Sequence, residues 1–540
     1  MTRVENFPDL LPLRGADGAV TGLFGDHGAW FGLTWGRQSL FDVHDQLRER
    51  VHAFHVGAVA RQRRVWADRL EAELENGARV RAGFASADAL VVEYRHHEPP
   101  EPGSDLPFLV VAAEPGRWFV VLAPRGGGVR DPDCFERNRA RWNEVFARAF
   151  AGRRRAGEPL AELLLARAVT TLGWNRRAAI ADLRHAGVVP SPFSYRGYWG
   201  WDSWKHAHAL ARYAPELAAE QLRVQFSRQR SDGMVPDTVM PRAERDNWNN
   251  SKPPLAAWAL REIWTHTGDD ALLAELYPAC ARQLLWWGAQ RRFAGEALAR
   301  CGGRDHRTAT WDGGWDDSLR YAGVKQRDAG EGWRLFELWQ PDLNGWIFAE
   351  ARALADLAPR VGADPEPWAA GARALGADVA AHLWSEARGW FVDAAPPGES
   401  PGYSARESIA GVVPAWAGAA SREQIGRVRA GLLDERRFAT PMPFPSLAAA
   451  APGFDGDGYW NGAVWLDHAA IALHVLGEDG AELEDRLFRA LAAAGPLHEC
   501  YHPLESRPCA GARQAVPQFS WTAAAIVELL HGGPRPGPGD

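Results

Sequence analysis

At 540 residues the chain is too long for one ordinary domain; its length suggests two to four, though a large barrel can use most of it. A hydrophobic share of 46% and a charged share of 24% are those of a soluble globular enzyme, and a formal net charge of −7 argues against nucleic acid, whose binding needs a basic face. The first residues carry no apolar signal segment and no apolar run reaches membrane-spanning length, so a cytoplasmic protein without membrane contact is expected.

From about Pro12 to Pro124 the pattern is strand-like. Val20-Thr-Gly-Leu-Phe-Gly and Ala29-Trp-Phe-Gly-Leu-Thr-Trp are β-prone runs split by the turn residues Asp26-His27-Gly28. Arg79–Phe84, Ala89–Tyr94, Phe108–Ala113 and Trp118–Ala123 continue the series. Short strands separated by Gly, Pro and Asp turns predict an antiparallel β-sandwich over residues 1–130, with Gly126-Gly-Gly-Val-Arg-Asp-Pro at its end. A charged linking helix follows within 131–159. From 160 to 535 the character is Ala- and Leu-rich with helical periodicity, and twelve helices are predicted, starting near 160, 202, 216, 253, 270, 342, 365, 404, 421, 461, 480 and 517.

Four stretches in this helical part mix aromatic and polar residues densely. They are Tyr195–Lys205, Asp246–Pro254, Trp311–Tyr321 and Tyr459–Asp467, in a chain with 26 Trp and only 9 Tyr. Indole faces stack on the C–H faces of sugars while carboxylates and amines grip hydroxyls, so the stretches read as walls of a sugar site. They precede even-numbered helices, and the odd ones begin after plain turns. That alternation predicts a double-layered helical barrel, with the loops into one layer converging at one end. Five scattered cysteines, Cys134, Cys280, Cys301, Cys500 and Cys509, form no CxxC pair, so no zinc site is indicated. Cys500 and Cys509 can approach each other, but free thiols are expected.

Glycosidic hydrolysis needs one acid to protonate the leaving oxygen and a second carboxylate to activate water or to attack. The loops offer Asp316, Asp317, Glu499, Asp202, Asp342, Asp455, Asp457 and Asp467, which the residues alone do not rank. An Asp at a helix start is most often an N-cap, a reading that fits Asp202, Asp270 and Asp342. Phosphate-loop, dinucleotide and serine-elbow motifs are missing.

Six motifs, in order, resemble glycoside hydrolase family 63: Trp199-Gly-Trp-Asp-Ser-Trp-Lys, Asn249-Asn-Ser-Lys-Pro-Pro, Gly314-Trp-Asp-Asp-Ser-Leu-Arg-Tyr, Gln340-Pro-Asp-Leu-Asn, Tyr459-Trp-Asn-Gly-Ala-Val-Trp, and Glu499-Cys-Tyr-His-Pro with Phe519-Ser-Trp. The resemblance spans roughly residues 160–533. It implies an (α/α)6 barrel and an inverting, exo-acting α-glucosidase; two carboxylates suffice for that chemistry and no cluster has metal-ligand spacing, so no metal or cofactor is expected. Asp316 falls on the general acid and Glu499 on the general base. The resemblance and its motifs implicate Tyr198, Trp199, Trp201, Asp202, Lys205, Asn249, Lys252, Trp315, Asp317, Arg320, Asp342, Asn344, Trp460, Trp465, Tyr501, His502 and Trp521 in binding the substrate. Two departures stand near the sugar site: Asp312-Gly-Gly before the acid, and Asn461 and Ala463 where relatives carry Arg and Pro. The leading expectation is a small α-glucoside or α-gluco-oligosaccharide as substrate. Hydrolysis of glucosylglycerate or mannosylglycerate, trehalase activity, and sugar binding without catalysis are the alternatives.

Overall fold

The structure, a computed structural model, describes residues 21–22, 30–34, 41–45, 50–58, 60–65, 68–86, 89–104, 108–122, 133–191, 194–399, 406–511 and 515–532. The expected turn at 26–28, the domain end at 126–132 and the helix start near 404 lie outside these residues.

The N-terminal part forms two antiparallel sheets. One has five strands, among them Trp30–Thr34, Phe41–Asp45 and Arg50–His55. The other has six, ordered Phe108–Glu114, Arg117–Leu122, Ala89–Arg95, Arg79–Ser86, Leu70–Leu74 and Ala60–Val65. Alternation in Leu70–Leu74 buries Leu70, Ala72 and Leu74 and turns Glu73 outward, the period-two pattern of a sheet with one covered face.

Helix α1 (Cys134–Phe150) ties this sheet to the helical part. It packs on strand Arg79–Ser86 and on α2 (Pro159–Trp174). A Cβ at Gly173 of α2 would lie 2.3 Å from the Trp142 ring, so only glycine lets α1 come this close. Sheet residues and helical residues thereby share one buried core.

Among the described residues eleven more helices follow: α3 (Gly200–Leu210), α4 (Pro215–Phe226), α5 (Ala256–Thr267), α6 (Asp270–Gln290), α7 (Pro341–Leu357), α8 (Glu366–Leu383), α9 (Val413–Ala417), α10 (Arg422–Leu432), α11 (Leu466–Leu476), α12 (Ala481–Ala493) and α13 (Ser520–His531). Local signals set their ends. Pro159 and Pro215 open α2 and α4 at positions where a missing N–H costs nothing. Asp269 caps α6 by accepting from Leu272 N, and Ser421 and Gln424 form a capping box on α10. Asp202 and Asp342 lie in the first turns of α3 and α7 but cap neither helix, and the α6 cap is Asp269, not Asp270.

The helices sort into two layers. Every residue of α3 is buried, whereas α8 buries only Ala372, Val379 and Leu383. A helix covered all round belongs inside, and one with a narrow apolar stripe belongs outside. α3 packs on α5, α5 on α7, α7 on α9, α9 on α11, α11 on α13, and α13 returns to α3. The other helices lie outside this ring, α4 against α3, α8 against α7 and α2 against α13. This helix-rich double ring is consistent with an (α/α)6 barrel. Glu350 locks two staves together: from α7 its buried carboxylate accepts Ala257 N at 2.7 Å and Trp258 N at 3.1 Å, capping the start of α5.

Candidate active site

Among the described residues, the loops entering five of the six inner helices, all but α9, meet at one end of the ring. They enclose a cavity of about 380 Å³. Its apolar walls are Trp199, Trp201, Trp460, Trp465, Phe519 and Trp521; its charged groups are Asp202, Asp237, Lys252, Asp316 and Glu499.

The aromatic floor is one stacked assembly. Trp460 lies parallel on Trp465 with centroids 4.0 Å apart, and Trp201 meets Trp521 edge-on at 4.8 Å. Such pairs add about 0.5–1.5 kcal/mol each beyond area burial and fix ring orientation. Under the floor, Lys205 Nζ lies 3.9 Å from the centroids of both Trp201 and Trp521 and donates to Asp467 Oδ2 at 2.8 Å. Asp467 also pairs with His468 at 2.9 Å; burial pushes its pKa up, but His468 and Lys205 outweigh that and hold it down at about 2.

Asp316 sits in a loop fastened at three points. Asp312, four residues earlier, is fully buried against Arg291 and accepts Ser251 N at 2.7 Å and Gly302 N at 3.1 Å. Gly314 has φ of +77°, and a Cβ there would lie 2.0 Å from the Trp201 ring. Only glycine permits both the turn and the approach to the aromatic floor. Asn461 closes the far side: its Oδ1 accepts Leu319 N at 2.7 Å and its Nδ2 donates to Asp317 O at 3.1 Å. The Asn that departs from the family pattern thus ties the acid loop to the Trp460 loop, and buried Ala463 beside it belongs to the core.

Glu499 is buried and lines the same cavity. Tyr459 OH donates to its Oε1 at 2.5 Å, and Tyr459 OH lies 3.1 Å from Tyr195 OH. Burial pushes the Glu499 pKa up to about 7, against the lowering effect of the two tyrosine hydroxyls; the charge of Asp316 adds to the rise. Asp202 is likewise raised to about 7 by burial, against the pull of Lys205 and Lys252. Lys252 lies 3.0 Å from Asp237 and donates to Trp311 O. Burial disfavours its charge, but Asp237 and Asp316 outweigh that and keep it cationic.

Of the residues predicted from sequence, Asp316, Glu499, Trp199, Trp201, Asp202, Lys252, Trp460, Trp465 and Trp521 line the cavity. The others do not. Lys205 and Trp315 stand behind the indoles, with Trp315 Nε1 donating to Asp342 Oδ2 at 2.6 Å. Arg320 is buried between Asp342 at 2.7 Å and Asp393 at 2.5 Å, so Arg320 and Asp342 neutralise each other away from the sugar. Asp317 is exposed, and its Oδ1 accepts Trp460 N at 3.0 Å. Asn344 hydrogen-bonds Ala299 and Gln340 main chain. Asn249 is exposed, and its buried neighbour Asn250 donates to Thr308 O instead. Tyr198 is in a small apolar cluster with Leu183 and Val224. Tyr501 OH accepts His498 N, and His502 Nδ1 accepts from Leu504 and Glu505 main chain. Sequence reasoning missed Asp237, which no aromatic motif surrounds, and did not select Tyr195, Trp311, Tyr459 and Phe519 from within the motifs it identified.

A Trp-walled cavity holding several carboxylates at the loop end of a helical double ring defines a glycoside hydrolase. Residues 195–522 match the mannosylglycerate hydrolase MGH1-like glycoside hydrolase domain, and the chain belongs to that family, within glycoside hydrolase family 63. Mannosylglycerate hydrolase MGH2 of Selaginella moellendorffii is 25% identical over 430 residues, covering 66% of this chain and 84% of that protein. Mannosylglycerate hydrolase of Rubrobacter radiotolerans is 23% identical over 417 residues, covering 63% and 92%. The mannosylglycerate hydrolase of Thermus thermophilus, solved with glucose, superposes with a TM-score of 0.56 at 20% identity, covering 67% of this chain and 99% of its own. Neutral trehalase Nth1 of Saccharomyces cerevisiae shares the fold at a TM-score of 0.52 and 16% identity, covering 68% and 78%. The N-terminal sheets precede the matched family domain. No helix among the described residues is long and apolar enough to cross a membrane.

Proposed function

We propose that this protein hydrolyses a small α-glycoside of the mannosylglycerate type, one hexose joined to a short hydroxy-acid aglycone, with inversion at the anomeric carbon. This replaces the α-glucoside expected from sequence as the first choice. The observation that carries it is the joint presence of Asp316 and Glu499 on one enclosed, Trp-walled cavity of about 380 Å³, room for a monosaccharide and little more. The mannosylglycerate hydrolases named above supply the aglycone.

In this reading Asp316 protonates the glycosidic oxygen and Glu499, held by Tyr459, takes the proton of a water that attacks the opposite face. Stacked Trp460 and Trp465 with Trp201 carry the apolar face of the sugar; Asp202 and the Lys252–Asp237 pair grip hydroxyls. Two carboxylates suffice for this chemistry. The catalytic part is residues 160–535, joined through a linking helix within 131–159 to a β-sandwich over 1–130.

A panel of mannosylglycerate, glucosylglycerate, kojibiose, nigerose and trehalose tests the substrate, read by released hexose. Mannosylglycerate is expected to give the highest kcat/KM. Preference for a disaccharide by tenfold or more overturns the aglycone assignment. The solved Thermus relative holds glucose, which makes glucosylglycerate the second expected substrate.

A further inference from the structure

Glu499 is followed by a cysteine whose partner lies across a hairpin. Strand Tyr501–His502 pairs antiparallel with Arg507–Pro508, Tyr501 opposite Pro508 and His502 opposite Arg507. One step outward in the same register, Cys500 faces Cys509, and Cys509 N donates to Cys500 O at 3.2 Å. Directly opposed residues of such a ladder have Cα atoms about 4.5–5.5 Å apart, inside the 4.4–6.8 Å range of disulfides. Both side chains are buried, and Cys509 Sγ lies 3.7 Å from Gly456 O. Both are free thiols here.

Both cysteines connect directly to the reacting end of the cavity. Cys500 adjoins Glu499 in the chain. Cys509 O accepts Ala515 N at 3.1 Å, and the next residue, Val516, lines the cavity and pairs with Glu499 N through its carbonyl at 2.9 Å. A cross-link between the two sulfurs therefore acts on the two segments that position Glu499.

We propose that Cys500 and Cys509 are a reversible disulfide site, oxidised by small-molecule disulfides of the glutathione class, and that closing the bond displaces Glu499. The Cys509 thiolate attacks the small disulfide, forming a mixed disulfide and releasing one small thiolate. The Cys500 thiolate then attacks the Cys509 sulfur, forming the protein disulfide and releasing the second. The two electrons pass to the small disulfide, and the two cysteine protons end on the two small thiols. Cys509 comes first because it borders exposed Ala510, whereas Cys500 is completely covered. Both thiols are buried, so exchange waits on opening of the hairpin and is slow, since the thiolate is the reacting form. Closing the bond draws the two sulfurs to about 2.05 Å, and a misplacement of about 1 Å at a catalytic group costs about a hundredfold.

The full chain is equilibrated in glutathione buffers from fully reduced to fully oxidised, quenched with an alkylating agent and mapped by mass spectrometry. A peptide pair joined through Cys500 and Cys509 is expected at the oxidised end, with kcat lowered tenfold or more and restored by dithiothreitol. Cys509→Ser is expected to keep its activity in both buffers. No joined peptide after oxidation to equilibrium, or glutathione adducts in its place, overturns the site; a joined peptide with unchanged kcat overturns the coupling to Glu499. The mapping needs no substrate, so it stands or falls apart from the choice of aglycone.

Discussion

Replacing Tyr459 by Phe removes a single oxygen, the one that donates to Glu499 Oε1 at 2.5 Å. The ring keeps its edge-on contact with Trp465, centroids 4.8 Å apart, so packing is preserved. A hydrogen bond to an ionised group contributes about 1.5–3 kcal/mol, and about 1.4 kcal/mol is one pH unit of titration. The bond favours the ionised carboxylate, so its loss raises the pKa. Glu499 titrates at about 7 with the bond in place. The acid limb of kcat/KM is therefore expected to move up by about one to two pH units. At pH 7 the ionised fraction of the base falls from about half to about a tenth or less, a loss on the order of five- to fiftyfold, and activity returns as the pH approaches 9. The assay is a pH–rate profile on the best substrate of the panel. Tyr195→Phe, acting mainly one hydroxyl further out, should move the limb in the same direction by less. A Tyr459→Phe enzyme whose limb stays in place, or whose loss is equal at every pH, would show that the hydroxyl does not set the ionisation of Glu499.

Asp316→Asn is expected to abolish turnover with an unchanged circular dichroism spectrum, and Asp317→Asn to retain it; the reverse outcome would shift the acid by one position. Asn461→Ala removes both hydrogen bonds that join the acid loop to the Trp460 loop. At about 1 kcal/mol each they account for a kcat drop of up to roughly thirtyfold, with the melting temperature changed by only a few degrees. Stability should also respond to pH. Burial raises Asp202, Glu350, Glu499 and Glu528 to about 7, so the folded chain binds more protons than the unfolded one between the ordinary carboxylate range and pH 7. Their stabilisation is complete below about pH 4 and is lost as the pH rises through 7. Burial pushes Glu262 and Asp467 up, but their partners (His208, His266 and Arg212 for the first, His468 and Lys205 for the second) hold both near 2, so they act oppositely and lose their stabilisation as the pH falls. The melting temperature is expected to peak near pH 5 and to decline towards pH 8. Glu499→Gln should flatten part of that decline while ending catalysis.

Helical periodicity placed the double ring well, because inner helices are Ala- and Leu-rich and outer ones carry charge on one face. Its errors fall at the site. Helices expected near 253, 461 and 517 begin at Ala256, Leu466 and Ser520. In each case non-helical chain ahead of the helix carries a residue that lines the cavity, Lys252, Trp465 and Phe519 in turn, and Pro253-Pro254 holds off the helix in the first. Charged residues beside tryptophans looked like sugar ligands, yet Lys205 and Arg320 are buried counter-ions. Lys205 lies one helical turn beyond Trp201, on the same face but deeper, which an i, i+4 spacing implies. The pairing of Arg320 with Asp393 spans 73 residues and left no local trace. Asp237 could not be singled out for the same reason, since its partner Lys252 comes from another loop.

The ring order bears on stereochemistry. Asp316 precedes α7 and Glu499 precedes α13. In the sequence of inner helices α3, α5, α7, α9, α11, α13 these are third and sixth, so their entry loops approach the cavity from opposite sides. Both carboxylates are fastened: the acid loop to Arg291 and Asn461, the base to Tyr459, two residues before Asn461, and to the main chain of Val516. Groups anchored across a cavity can flank a sugar with a water beyond it, at the separation of about 6.5–9.5 Å that inversion uses. The roughly 5–5.5 Å of a retaining pair would bring the two anchored loops closer together and leave no room for that water. Proton NMR of fresh product from an α-glycoside is therefore expected to show the β-hexose first, before mutarotation. Initial α-hexose would mean that Glu499 attacks the sugar directly, and would overturn its assignment as the base that activates water.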